Sequence, residues 1–445
     1  MSERLAQQRE ELEQAVSRAL DVAGQLGLDS AEVAVQKQQG LSVSTRMGEV
    51  ETVEFNKDGA LGICVYRDGR KGNASTSDLS ADAIAATVKA AATIASQTTA
   101  DEHNGLAEAA LMPTSALELD LYHPHDIDPQ QAVALAARAE RAGLAADPRI
   151  NNSDGGNFNS HESLKVYGNT HGFIGSYASS RHSLSAVMIG EDANGMERDY
   201  DYGVARRFED LPSPEAIGHQ AGLETASRLG ARKIDTCNVP VLFNAAQSVG
   251  LIGHLISAIS GASLYRNASF LKDSLGTQLF PQWLNIEERP HLRGGLASSA
   301  FDSEGVATRD RDIIRAGTLE SYLLTAYSAR RLGMANTGHA GGIYNWNVSR
   351  NGGDLAAMLK QLGTGLYVTE LMGQGVNGVT GDYSRGAAGF WVENGEIQFP
   401  VHEITIAGNL KTMYRDMVAM GSDLDPRHSI AAGPILLESM KVAGN

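Results

Sequence analysis

The sequence predicts an α+β protein. Its N-terminal region combines helices with antiparallel sheet, and its C-terminal domain is mainly antiparallel β with one buried helix. Three observations lead there. Up to about residue 235 the elements run helix, strands, helix, and then helix, strands, helix again. Past Arg232-Lys233-Ile234-Asp235 the texture changes to many short strands with hairpin signals. Within that second part lies NAAQSVGLIGHLISAISG, Asn244 to Gly261, a nearly uncharged run with helical spacing. A chain of 445 residues exceeds what one compact core usually accommodates. The boundaries expected are therefore 1–235, with candidate subdomains 1–112 and 113–235, and 236–445. The helix–strands–helix order suggests a duplication, although no residue-level repeat accompanies it.

Taken in order, Leu5, Leu12, Val16, Leu20, Ala23 and Leu26 recur at helical spacing and stop at Gly27. Residues 31–76 read as a meander of four strands, EVAVQ, LSVSTR, VETVEF and LGICVY, with turns at Gly40, Met47-Gly48 and Asp58-Gly59, and Asp68-Gly69 beyond. A helix from Ala81 to about Gln97 begins after Ser80. The stretch from Leu111 to Pro129, with Pro113, Pro124 and Pro129, suits an irregular crossover. A helix over 130–145, alternating strands over 149–209 and a helix over 214–230 come next. Beyond the boundary, VPVLF is a short buried strand. Asp302-Ser-Glu-Gly305 and Glu393-Asn-Gly395-Glu396 mark hairpins.

Composition narrows the function. The 42% hydrophobic and 20% charged residues are ordinary for a globular chain. A formal net charge of -16 without any cluster of Lys or Arg argues against nucleic acid as a direct partner. Cys64 and Cys237 lie far apart and lack zinc-ribbon or redox spacing, which fits a reduced cytosol. The opening MSERLAQQREELEQ is charged and amphipathic rather than a secretory signal, and no segment reads as a membrane span. A soluble, cytoplasmic protein is expected.

The motifs are weak one by one. Gly373-Gln-Gly375-Val-Asn-Gly378 matches GxGxxG, but VTGDYSRGAAG comes after it and cannot supply the helix N-terminus that binds pyrophosphate. His161-Glu162 and His402-Glu403 begin like HExxH yet lack the second histidine. His123-Pro-His125-Asp-Ile-Asp128 gathers metal-competent groups in a turn-forming loop. Tyr383, Trp391 and the loop from Thr369 to Arg385 could line a cleft for an extended peptide.

The 244–261 helix is the most informative segment. Asn244 is a good N-cap with Gln247 placed for a capping box, and Gly261 suits the C′ position. Ala245, Val249, Ile252, Ile256 and Ile259 form an apolar stripe that Leu251, Leu255 and Ala258 extend sideways. Gln247, Gly250, His254, Ser257 and Gly261 occupy the remaining face, which can border a cavity or a close neighbour. With VPVLFNAAQSVGLIGHLISAISG, DSLGTQLF, FDSEGVATRDRDIIRAGTLESYLL, YSARRLGMANTGHAGG, GQGVNGVTGDYSRGAAGFWVENGEIQFPV and ITIAGNLKTMYRDM in this order, the chain resembles the TldD/PmbA metallopeptidase family, in its PmbA (TldE) branch. That family has also carried the label modulator of DNA gyrase.

The resemblance implies a heteromeric protease. In its TldD branch this helix carries His-Glu-x-x-x-His, with a cysteine ligand near the C-terminus. Here the window is Gly253-His254-Leu255-Ile256-Ser257-Ala258; no carboxylate occurs from Thr236 to Lys272 and no cysteine after Cys237. Zinc needs about three protein ligands, and peptide hydrolysis needs a general base. No catalytic, cofactor-binding or metal-binding residue is therefore assigned to this chain. Gly253, His254 and Ser257 remain as candidate cavity-lining residues at the degenerate site. Zinc is expected in a TldD-like partner, with peptides as substrates; a homodimer is one state open to the isolated chain. Two alternatives stand beside this: an autonomous metallopeptidase drawing ligands from His123, His125, His161 or His402, and a non-enzymatic peptide-binding or regulatory homodimer.

Overall fold

The structure, a computed structural model, describes residues 3–444. Helix α1 (Glu3–Gln25) buries Leu5, Leu12, Ala15, Val16, Ala19 and Ala23 at three- and four-residue intervals and ends ahead of Gly27, whose φ is 63°. Strands β1 (Ser30–Arg46), β2 (Glu49–Arg67) and β3 (Arg70–Thr76) come after it. Their two turns are Met47-Gly48 and Asp68-Gly69, with positive φ at both residues of each pair, as tight hairpins require.

The turns expected at Gly40 and Asp58-Gly59 do not form. Each glycine sits within a continuous strand, so four expected strands are two long ones. A Cβ on Gly40 would stand 2.0 Å from Nδ1 of His161 and 2.6 Å from the Ser160 carbonyl oxygen, so this glycine serves close packing rather than chain reversal.

Helix α2 (Ala81–Gln97) starts at Ser80, whose hydroxyl accepts from the Ala83 N–H. The irregular crossover ends where Asp128 and Gln131 form a capping box and Pro129 opens α3 (Pro129–Leu144). Then come β4 (Ile150–Asn169), β5 (Ile174–Asp192), β6 (Gly195–Ala205) and α4 (Pro214–Arg228). All six strands make one antiparallel sheet in the order β3-β2-β1-β4-β5-β6, so the two meanders join through β1 and β4.

Alternation along these long strands separates the two faces of the sheet. On one face, α1 and α2 cover Val33, Val35, Leu61, Ile63, Leu164 and Val166 at one end of the strands. At the other end α3 and α4 cover Leu41, Val43, Phe158, Leu184 and Met188. The opposite face carries Gln36, Lys165 and Tyr177 as cross-strand neighbours, and is polar.

The C-terminal region begins with β7 (Cys237–Phe243), α5 (Ala245–Ala258) and the short α6 (Gly261–Tyr265). Next are β8 (Ile286–Glu288), β9 (Arg311–Arg315), β10 (Thr318–Leu319), α7 (Ala326–Leu332), β11 (Trp346–Val348) and α8 (Leu355–Leu362). The chain closes with β12 (Gly365–Met372), β13 (Asp382–Glu393), β14 (Glu396–Asn409), α9 (Leu410–Arg415), β15 (Met417–Met420), β16 (Ile430–Ala431) and β17 (Ile435–Ala443). Asn394-Gly395 makes the expected hairpin between β13 and β14, both residues having positive φ.

Two sheets result, ordered β10-β9-β8-β11-β16 and β14-β13-β12-β7-β17-β15, and a further β14–β17 pairing bends the second one round. Helix α5 packs into the core that joins them, with Leu251, Ile252, Leu255 and Ile259 among Phe243, Ile314, Trp346, Val368 and Ile435. Among the described residues no helix is long and apolar enough to cross a membrane.

Candidate functional site

Helix α5 is stitched to the end of β12. The Asn244 side chain accepts from the Gln247 N–H at 2.8 Å, and the Asn244 N–H donates to the Val368 carbonyl at 2.9 Å. The expected capping box is incomplete, because Gln247 Nε2 donates to the Thr369 carbonyl at 3.1 Å instead of returning to the cap.

At the other end Gly261 is not the C′ residue. Ile259 caps α5, Ser260 caps α6, and the Gly261 N–H donates to the Leu323 carbonyl at 2.8 Å. A Cβ at Gly261 would lie 2.1 Å from Ser328 Oγ, so close approach of α7 explains the glycine. The buried stripe is also rotated from the expected one. Ser248, Leu251, Ile252, Leu255, Ala258 and Ile259 are buried, whereas Val249 and Ile256 are only half-buried. Ser248 is tolerated inside because its hydroxyl donates to the Asn244 carbonyl at 2.8 Å and accepts from the Ile435 N–H at 3.1 Å.

The opposite face of α5 is open. Gly250 and Ser257 are exposed, Gly253 and His254 are half-buried, and a Cβ on either glycine would meet nothing within 4 Å. The edge of the His254 ring meets the Tyr383 ring at 5.9 Å between centroids, at 78°. Burial and the Arg385 charge together hold the imidazole below its ordinary range. Tyr383 is buried, with a hydroxyl that has no hydrogen-bond partner, and burial pushes that phenol up to about 12. Arg385 Nε donates to the Met372 carbonyl at 3.1 Å. The half-buried imidazole and guanidinium can hydrogen-bond a polar chain passing over the helix, with the buried Tyr383 ring beneath them.

The same groups do not make the donor set of a zinc ion, which takes thiolate, imidazole or carboxylate and is opposed by a neighbouring cation. Nor do the cysteines offer thiolates: both are free, and burial raises Cys64 to about 11 and shifts Cys237 upward. Among the described residues no group of three or more His, Cys, Asp or Glu is placed to hold a metal ion.

The other candidate histidines stand apart. His123 Nε2 lies 3.2 Å from Asp120 Oδ1, and His125 stacks on Phe208 at 3.9 Å. Asp128 is spent on the α3 cap. His161 Nε2 is 3.5 Å from Ser42 Oγ, and His402 Nδ1 is 3.3 Å from Glu197 Oε1. The GxGxxG segment folds back on β13: the Ser384 N–H donates to the Gly375 carbonyl at 2.6 Å, and a Cβ at Gly375 would lie 1.9 Å from the Ser384 carbonyl oxygen. The next element along the chain is strand β13 rather than a helix.

Family models described as PmbA/TldA metallopeptidase domain 1, central domain and C-terminal domain match residues 31–95, 122–229 and 236–444. The Escherichia coli O157:H7 protein named Metalloprotease PmbA is 57% identical over 437 residues, spanning 98% of this chain and 97% of its own. The chain belongs to the PmbA/TldD metallopeptidase family. A solved structure from Bacteroides thetaiotaomicron carrying the name modulator of DNA gyrase superposes with a TM-score of 0.92 at 26% identity, covering 97% of this chain and 99% of that one. TldE from Thermococcus kodakarensis shares the fold, with a TM-score of 0.83 at 19% identity over 98% of this chain and 100% of that one.

The sequence places His254 and Ser257 on one helix face, with Gly253 as a further cavity-lining candidate, and sets Tyr383 in the loop from Thr369 to Arg385. It did not foresee that β13 brings the ring and the guanidinium to His254. Tyr383 lies 129 residues beyond His254, and no local periodicity carries that contact.

Proposed function

We infer that this chain is a PmbA/TldE-like subunit of a cytosolic zinc metallopeptidase complex that degrades or processes unfolded peptides. In this reading it has no zinc site of its own and encloses the chamber of a TldD-like partner that holds the metal. The observation that carries the inference is the open face of α5. Where the family's TldD branch has His-Glu-x-x-x-His, this helix offers Gly253, His254 and Ser257, with His254 kept neutral next to the Arg385 cation. Membership of a metallopeptidase family supports the proteolytic setting. The unpaired cysteines support a reduced compartment. A gyrase-related name belongs to a structural neighbour; a net charge of -16 argues against direct DNA binding by this chain.

The test is to purify the chain alone and together with a TldD-like subunit, and to measure zinc content and cleavage of an unfolded peptide. Zinc and chelator-sensitive cleavage are expected only with the partner. Stoichiometric zinc and cleavage by the chain alone would establish an autonomous peptidase. Failure to co-purify with any TldD-like subunit would favour the regulatory homodimer, for which the uncovered Gly250 and Gly253 offer a close-approach surface.

A further inference from the structure

The polar face of the N-terminal sheet meets the C-terminal region around a cavity of about 310 Å³, at the lower end of the roughly 300–1,000 Å³ typical of small-molecule sites. Lys165, Tyr177 and Arg206 line one side, and Phe301, Asp302 and Tyr344 the other. Strand register sets the first wall. Gln36, Lys165 and Tyr177 are direct cross-strand partners on β1, β4 and β5, so all three project from the same face. Arg206 comes just after β6 and is fixed from both ends: Nη1 donates to the Ser180 carbonyl at 2.9 Å, and Nη2 to the Leu296 carbonyl at 2.8 Å.

The charges in this cavity do not balance. Carbonyl oxygens position the Arg206 guanidinium without neutralising it, and its Nε–H is buried with no partner. No carboxylate pairs with Arg206, and Lys165 Nζ makes neither a hydrogen bond nor an ion pair within 4 Å among the described residues. Asp302 is the one carboxylate in the lining, and its oxygens are already engaged. Oδ1 accepts from the Glu304 and Val306 N–H groups at 2.8 and 2.9 Å, and Oδ2 from the Ala340 N–H at 3.0 Å. Asp302 thus holds a turn of the wall, although its charge still reaches Lys165.

Burial disfavours the charged forms of both Lys165 and Arg206, and Arg181 adds to this at Arg206. Two partly buried cations, neither directly paired with a carboxylate among the described residues, are costly unless an anion completes the site. An ammonium and a guanidinium lining one cavity suit the oxygens of a carboxylate or phosphate. Phe301, which meets the Tyr177 ring edge-on at 5.8 Å between centroids, gives the same cavity an apolar wall.

We propose that this cavity binds a small organic anion. Its carboxylate or phosphate group lies against Lys165 and Arg206, and its apolar body lies against Phe301. The site is separate from α5 and does not depend on the role inferred for that helix. Calorimetric titration of the full chain with phenylacetate and with phenyl phosphate, at matched ionic strength, tests it. At least one of the two binds saturably, and which one does so distinguishes a carboxylate from a phosphate ligand. Lys165→Met weakens that binding by about ten-fold or more while leaving the melting temperature of the unliganded chain unchanged or raised. Arg206→Lys, which keeps the charge but loses the fork, weakens binding as well. If neither anion binds saturably, or if Lys165→Met binds as tightly as the parent chain, the proposal is overturned.

Discussion

At His254 the aromatic edge of Tyr383 and the charge of Arg385 surround one imidazole, and burial and charge act in the same direction. The folded chain disfavours the protonated ring, while the unfolded chain takes up a proton near the ordinary value of 6.5. Stability contributed by the neutral ring is therefore complete above that value. It is lost as pH falls from there towards the lower folded-state value. His161 and His182, also shifted down by burial, add to the same acid sensitivity. Replacing His254 by Gln is expected to remove part of the stability difference between about pH 7.5 and about pH 5.5, measured by urea unfolding at each. An unchanged difference would mean that His254 titrates as in water. Glu140 is a buried carboxylate outside this site. It accepts from the Met47 and Gly48 N–H groups at 2.5 and 3.1 Å and from the Ser153 hydroxyl, and so ties the β1–β2 turn to α3. Glu140→Ala strands those donors and should cost about 1–3 kcal/mol in urea unfolding.

Elements show where a sequence speaks plainly and where it does not. Helix α1 was legible from its 3.6-residue stripe and the stop at Gly27, α2 from its start after Ser80, and α5 from the Asn244 cap and its apolar run, although the stripe of α5 is rotated and Gly261 is not its stop. The long strands were legible as strands but not in length. Gly40 carries the same letter whether it turns a chain or makes room for His161, and only the register across β1 and β4 decides. Helices α3 and α4 use glycine in the same way. A Cβ on Gly218 would lie 1.8 Å from the Ala139 carbonyl oxygen, and one on Gly222 would lie 2.5 Å from that of Gly143. Gly218→Ala must push the two helices apart, so a loss of about 1–3 kcal/mol is expected, read as a lower urea midpoint at constant slope. A neutral or stabilising effect would show that the helix pair yields without cost.

Across the whole molecule, the parts of the site are remote in sequence. Lys165 and Phe301 come from separate regions, His254 and Tyr383 lie 129 residues apart within one, and no spacing rule joins either pair. What the sequence did carry at this scale was the change of texture near residue 235 and the motifs of the family. The two regions are tied by arginines. Arg330 on α7 donates to the His103, Gly105 and Leu106 carbonyls in the segment after α2, and Arg427 pairs with Asp201 of β6 at 2.6 Å. Arg330→Ala removes charge-assisted bonds worth about 1.5–3 kcal/mol and is expected to split thermal unfolding into resolved calorimetric transitions. A single transition at an unchanged temperature would show that the tie is dispensable. A chain without a zinc site of its own should remain free of the metal. The most direct test is the zinc content of the purified full chain after exposure to zinc and removal of excess, by elemental analysis, with peptide cleavage assayed on the same sample. No stoichiometric zinc and no chelator-sensitive cleavage are expected until a TldD-like subunit is added. One zinc per chain with cleavage by the chain alone would contradict this expectation.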